Sequence, residues 1–298
     1  MISRKIFHMK DLHNISVVGL GLLGGSIALA VQQRLPGARV VGYSHRATTR
    51  AKARGLGVAT EIADDLRSGV READLVILAT PIFTFDRYFA ELTSCVPDGC
   101  LITDVGSTKL LPHQWAESRL DERACYVGSH PVAGSEQRGV EFARDDLFDR
   151  TRCILTRTET TDGDAVKSLE RFWSGLGCFV EVMSPAEHDR VFANISHLPH
   201  VMAAGLVNAS EHADMKFAGK GFLDSTRIAS GPSTVWTDVL LGNGPNIAAG
   251  LDRVIAELSK LRTAIKKGEK DSVKELLETA RKKRAALIKY KIRKKELL

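Results

Sequence analysis

The 298-residue sequence has no apolar run of the roughly 18 residues that a membrane-spanning helix requires, so no such helix is expected. Its five cysteines (Cys95, Cys100, Cys125, Cys153, Cys178) are far apart, odd in number and form no CxxC pair. That spacing gives no support to a cysteine zinc site and argues for reduced, mostly buried thiols in a cytoplasmic protein. The opening stretch MISRKIFHMKDLHN carries charges but no apolar core segment, so it does not read as a secretory signal. Residues 1–13 are expected to be a short extension. No internal repeat, low-complexity tract or HExxH motif is present, and no metal is expected.

What is present is ordinary in bulk and uneven in detail. With 44% hydrophobic and 26% charged residues, the chain has the composition of a globular protein long enough for two domains. The net charge of +6 is concentrated at one end. Residues 260–298 hold 15 Lys and Arg against 5 Asp and Glu, which leaves 27 against 31 for residues 1–259. The basic end reads as the solvated face of an amphipathic helix, with Val273, Leu276, Leu277, Ala280, Leu287 and Ile288 at helical spacing. A charge run with little aromatic interleaving is a weak argument for nucleic acid, which is not the expected partner.

Short apolar runs at Ile15–Gly19, Val40–Tyr43, Leu75–Thr80 and Leu101–Val105 alternate with helical patterns such as Leu23–Arg34, Thr48–Arg54 and Phe83–Cys95. Further strands are expected at Arg152–Thr156 and Cys178–Val182. Strands apolar along their whole length, separated by helices, predict a parallel sheet covered on both faces. After Ser184–Pro185 only helical stretches follow: Ala186–Ala213, Thr234–Leu241, Asn246–Lys267 and Asp271–Lys289. The expected organisation is an α/β Rossmann-type domain over residues 14–184 and an all-α domain over 185–298.

The first strand runs into Gly19-Leu20-Gly21-Leu22-Leu23-Gly24 and then an Ala- and Leu-rich helix, which is GxGxxG in its strand–turn–helix setting. Gly19 allows the tight turn, Gly21 lets the backbone approach a pyrophosphate, and Gly24 lets the helix pack on the sheet. The amides around Leu22 and Leu23 would face the anion at the helix N-terminus. At the end of the second strand an NAD site would want a carboxylate for the ribose. The segment from Val40 to Thr60 has none, and instead holds Ser44, His45, Arg46 and Arg50. A hydroxyl and guanidinium groups suit a 2′-phosphate, so NADP is favoured and NAD is left open.

Histidines gather at His130, within Gly128-Ser129-His130-Pro131, and at His188, His197 and His200. A packing role is expected for His188 or His197. Acid–base or anion-binding chemistry fits His130 and His200 better, because each lies beside a proline that shapes the backbone. His130 is expected just past a strand end, where open α/β sheets place ligands. Pro199 should kink its helix and turn His200 toward the cleft.

The ordered motifs Val17–Ile27, Ala79-Thr80-Pro81, Thr103-Asp104-Val105-Gly106-Ser107-Thr108-Lys109, Gly128–Glu136, His188-Asp189-Arg190, Ser196–His200 and Ser225-Thr226-Arg227-Ile228-Ala229 resemble those of the prephenate/arogenate dehydrogenase family of tyrosine biosynthesis. The resemblance covers about residues 14 to 290. It implies a homodimer joined through the C-terminal domain. It also implies NAD(P)-dependent oxidative decarboxylation of prephenate to 4-hydroxyphenylpyruvate, of arogenate to tyrosine, or of both.

The resemblance implies His130 as the base at the substrate hydroxyl, with Ser107 bonding to it. Arg227 and His200 would bind substrate, Glu136 would be a gate residue, and His197 and Trp236 would line the pocket. Thr80 and Pro81 would lie against the cofactor. Neither a chorismate mutase segment before residue 14 nor a C-terminal regulatory ACT domain is expected. Two other classes stay open: a different Rossmann-plus-helical dehydrogenase acting on a β-hydroxy acid, and a non-catalytic NADP(H)-sensing regulator that uses its basic tail on nucleic acid.

Overall fold

The computed structural model describes residues 12–133 and 137–293. It begins with β1 (Asn14–Val18), α1 (Leu22–Arg34), β2 (Arg39–Tyr43), α2 (Ala47–Leu56), β3 (Glu61–Ile62), α3 (Leu66–Val70) and β4 (Leu75–Leu78). There follow α4 (Phe85–Leu92), β5 (Cys100–Asp104), α5 (Leu110–Arg119) and β6 (Ala124–Tyr126). The six strands form one parallel sheet in the order β3-β2-β1-β4-β5-β6. The order reverses between β1 and β4, and the loops at their carboxyl ends flank the crevice that such a reversal creates. β4, Leu-Val-Ile-Leu, is buried at every position because helices cover both faces. α4 shows how: Phe85, Tyr88, Phe89 and Leu92, spaced by three and four, are its buried stripe.

Beyond the parallel sheet, β7 (Gly128–Pro131), β8 (Arg152–Thr156) and β9 (Phe179–Met183) form a separate three-stranded sheet that includes the two further strands expected at Arg152–Thr156 and Cys178–Val182. β7 runs antiparallel to β8, and β8 parallel to β9 with α6 (Gly163–Gly175) between them. His130 therefore lies inside β7, opposite Ile154, and not beyond a strand end. A Gly-Ser-His-Pro segment has little strand propensity, and its pairing comes from the neighbouring strand. Trp173 of α6 is fully buried and donates from Nε1 to Ser129 Oγ at 3.0 Å, which ties the helix to the back of β7.

The helical part starts at α7 (Pro185–Phe192), where Ser184 Oγ accepts the Glu187 amide at 3.2 Å and Pro185 occupies the first turn. A π-helical turn, Ala193–His197, joins it to α8 (Leu198–Ala209). The amide of Leu198 bonds the Ala193 carbonyl five residues back, and this wider turn accommodates Pro199 without ending the helical path. α9 (Lys220–Thr226), α10 (Ser233–Gly242), α11 (Gly244–Lys267) and α12 (Lys270–Arg293) complete the chain.

Two compact units are present, the first ending at Asn246 and the second starting at Ile247. The second comprises most of α11 together with α12. Its helices are joined at Gly268, whose φ of +69° suits a glycine and whose amide bonds the Ile265 carbonyl at 3.1 Å. Among the described residues no helix is long and apolar enough to cross a membrane.

Candidate active site

The glycine loop has the shape its motif predicts. Gly19 adopts φ +105°, and a Cβ there would lie 2.5 Å from the Ala79 carbonyl oxygen. A Cβ on Gly24 would lie 1.8 Å from the Gly19 oxygen. Both glycines are thus required by close backbone approach. Gly21 differs, since a Cβ there meets nothing within 4 Å. It fronts open space, and among the described residues no side-chain hydrogen bond caps the first α1 turn. Open space before uncapped helix amides fits a pyrophosphate. Thr80 and Pro81 follow β4 beside this loop, and Thr80 Oγ1 hydrogen-bonds Thr84 Oγ1 at 2.7 Å.

At the β2–α2 turn, Ser44 is buried while His45 and Arg46 are exposed. Arg50 is already engaged. Its guanidinium donates to the Ser44 and His45 carbonyls at 2.8 and 3.2 Å and pairs with Asp64 Oδ1 at 3.3 Å. Asp64 comes from beyond the segment scanned for a carboxylate, so Arg50 braces the turn and Arg46 is left as its exposed cation.

Two buried carboxylates organise the loop after β5. Asp104 accepts the Gly106 amide at 2.9 Å, the Tyr126 hydroxyl at 2.9 Å and the Ser129 amide at 3.1 Å, and it pairs with the Lys109 ammonium. Lys109 Nζ also donates to the Ser129 carbonyl at 2.8 Å. From the other side Asp189 of α7 accepts the Lys109 amide on Oδ1 at 2.8 Å and the Leu110 amide on Oδ2 at 2.9 Å. The half-buried Ser107 lies on the loop held between them.

Asp189 also reaches the histidines. Its Oδ1 is 2.8 Å from His188 Nδ1, and His188 Nε2 is 2.8 Å from His130 Nδ1. Both imidazoles are held neutral. Burial pushes His188 down to about 2, with Lys109 and His197 adding to it. Burial lowers His130 well below 6.5, with His188, Lys109 and His197 contributing. The Asp189 carbonyl accepts from Asn243 Nδ2 at 2.7 Å, and the same amide lies 3.2 Å from His197 Nδ1. His197 is lowered to about 4, mainly by burial.

His200 of α8 stacks on Trp236 of α10 with ring centroids 3.5 Å apart and planes 9° from parallel. His197 meets the same indole edge-on. Gly231 makes room for this pair, since a Cβ there would sit 2.4 Å from Trp236 Nε1. His197 Nε2, His200 Nδ1 and Thr108 Oγ1 are buried with no hydrogen-bond partner among the described residues. Buried polar atoms of this kind are rare, and a bound water, ion or ligand can supply the missing bond.

The structure therefore links His130, His197, His200, Trp236 and the Ser107 loop through one network. Among the described residues no hydrogen bond joins Ser107 Oγ to the His130 ring, which is bonded to His188 instead. Arg227 is exposed at the start of a 3₁₀ turn, next to Ile228, whose backbone lies against His200. Glu136 lies outside the described residues. Asp104, Lys109, Asp189 and Asn243 carry no role legible in the sequence alone, and His188 is legible there only as a packing residue. His188 does stack on Phe192, at 4.4 Å, but it is also His130's hydrogen-bond partner. The available signal was an Asp ending an apolar strand and a His-Asp pair one turn into a capped helix. No group of three or more metal-ligating side chains occurs among the described residues.

Residues 27–182 match the family model "Prephenate dehydrogenase, nucleotide-binding domain", and residues 184–279 match "Prephenate dehydrogenase, dimerization domain". The chain is 40% identical to prephenate dehydrogenase of Bacillus subtilis over 286 residues, covering 94% of this chain and 76% of that one. It is 34% identical to cyclohexadienyl dehydrogenase of Zymomonas mobilis, covering 92% and 96%. The structure superposes with a TM-score of 0.86 on prephenate dehydrogenase from A. aeolicus, solved with hydroxyphenyl propionate and NAD+, at 32% identity and covering 93% and 99% of the two chains.

Proposed function

Because the chain belongs to the prephenate dehydrogenase family, we propose that it oxidatively decarboxylates prephenate, arogenate or both, with His130 as the base. The observation that carries this reading is the buried, neutral His130 imidazole, joined through His188 and Asp189 to the loop that bears Ser107. An imidazole kept unprotonated by burial is ready to accept a proton at neutral pH. The comparisons establish an NAD(P)-dependent oxidoreductase of tyrosine biosynthesis.

Gly19, Gly21, Leu22, Leu23 and Gly24 would hold the pyrophosphate, with Thr80 and Pro81 on the other side of the crevice. A bound nicotinamide would supply the hydride acceptor for the substrate's carbinol carbon. His130 takes the hydroxyl proton, with Ser107 orienting that hydroxyl. As CO₂ departs, the electron pair of its bond enters the ring and the C=O pair returns to oxygen, so the ring becomes aromatic and the resulting phenolate takes the proton back from His130. The substrate supplies this driving force, so the protein's task is chiefly positioning. Arg227 suits bidentate pairing with a carboxylate, and the stacked His200 and Trp236 suit the far end of the substrate. His197 lines the same wall, and Glu136 remains the proposed gate.

NADP is the favoured cofactor, on the strength of Ser44 and the exposed Arg46 at a turn with no carboxylate of its own. We read residues 14–184 as the nucleotide-binding part and 185–298 as the substrate and dimerisation part. Exposed Ile255, Leu258 and Ile265 on α11 and Leu277, Leu287 and Ile292 on α12 support a homodimer through that part. A cytoplasmic location is in keeping with five cysteines that form no disulfide.

The deciding experiment is a two-by-two assay of prephenate and arogenate with NAD and NADP. Turnover of at least one substrate with CO₂ release is expected, together with a higher kcat/KM for NADP. No turnover of either substrate would overturn the reading.

A further inference from the structure

We propose that His188 and Asp189 are positioning residues for His130. Two hydrogen bonds in series fix the His130 tautomer that leaves Nε2 as the base, and the same carboxylate fixes the loop that carries Ser107. The inference rests on the reading of His130 as the base.

It follows from counting donors along the chain. An ionised carboxylate only accepts. Asp189 receives the backbone amides of Lys109 and Leu110, one on each oxygen, and neither amide can do anything but donate. Its third partner, His188 Nδ1 at 2.8 Å, must then be an N–H. A neutral imidazole carries one N–H, so His188 Nε2 holds a lone pair. The atom 2.8 Å from that lone pair, His130 Nδ1, must be the N–H of His130. What remains on a neutral His130 is a lone pair at Nε2, where a substrate hydroxyl can deliver its proton. The direction of every bond is set by the one group in the series that has no choice.

The surroundings favour this arrangement over its mirror image. The charged and titratable groups acting on His130 are Lys109 from the loop before α5, His188 from α7 and His197 from the π-helical turn. Lys109 is neutralised by Asp104, and His188 and His197 are neutral by burial. When His130 takes a proton at Nε2, its existing bond to His188 becomes charge-assisted, with the negative charge of Asp189 behind it. Stacking on Phe192 keeps the His188 ring in plane for both bonds. Asp189 is itself held by two backbone amides, so the base and the Ser107 loop share one reference point.

The test combines the tautomer in the intact protein with kinetics. ¹⁵N-histidine NMR of the wild-type protein at neutral pH should show His130 protonated at Nδ1 and unprotonated at Nε2. His188→Phe keeps a ring against Phe192 but offers no acceptor. Its kcat should fall about 10²-fold, the scale of a misdirected general base, with little change in either KM. His188→Gln, whose amide oxygen can occupy the Nε2 position, should retain more kcat than the Phe variant. An Nε2-protonated His130 in the wild type overturns the proposal without recourse to any variant. Near-normal kcat in His188→Phe, with His130→Asn inactive, overturns the relay and leaves the base reading standing. Near-normal kcat in His130→Asn overturns the base reading itself.

Discussion

The ammonium of Lys109 donates to the carboxylate of Asp104 with both side chains at 0% exposure. Such a pair gains little over apolar packing, but breaking it strands a buried charge. Lys109→Met should therefore destabilise the fold by about 3–5 kcal/mol, read as a lower urea midpoint. Adding Asp104→Leu should recover only part of the loss. It removes the stranded charge but leaves the Tyr126 hydroxyl and the Gly106 and Ser129 amides without their acceptor.

Arg227→Ala should act on binding. Losing a charge-assisted bond to a carboxylate costs roughly 1.5–3 kcal/mol, so KM for the substrate should rise about 10- to 100-fold with kcat little altered. A fall in kcat at unchanged KM would place Arg227 in the chemical step instead.

The two loop glycines separate folding from cofactor binding. Gly21→Ala meets nothing within 4 Å and should keep wild-type thermal stability while raising the cofactor KM. Gly24→Ala drives a methyl into the Gly19 carbonyl and should lower both stability and affinity. If Gly21→Ala leaves cofactor affinity untouched, the open space beside Gly21 is not where the pyrophosphate sits.

Acid should weaken the fold above the range where carboxylates titrate. His113 and His197 are lowered to about 4, His188 to about 2, and His130 well below 6.5, in each case first by burial. Below pH 6.5 the unfolded chain takes up protons that the folded chain refuses. Stability therefore falls as pH drops from 6.5 toward 4, by roughly 1 kcal/mol per unit per histidine. Asp189, raised by burial from 3.8, works in the opposite direction nearer the acid end. Urea midpoints measured across this window should decline with falling pH. His113→Gln, outside the His130 series, should flatten the slope, and a flat wild-type profile would contradict these burial effects.

The parts legible in the sequence were those with local causes. The apolar runs of β1, β2, β4 and β5 and the glycines after β1 declare themselves through composition and steric need. β7 did not, because its strand character is lent by β8 across a connection of about twenty residues. The histidines were legible as chemistry but not as a series, since Asp189 reaches back eighty residues to the Lys109 amide. The turn after β2 was half legible. Its lack of a carboxylate was visible, whereas the diversion of Arg50 to Asp64 depends on packing.

The first helix beyond β9 carries a consequence for how this chain can be divided. Pro185–Phe192 follows the family boundary in sequence, yet it supplies the acceptor for two amides of the α5 start and the partner of His130. A fragment ending at Ser184 would keep the sheet and the glycine loop but lose the group that orients its own base. A chimaera that exchanges helical halves between relatives should place its junction after Phe192, so that the nucleotide-binding half travels with the helix that tunes it.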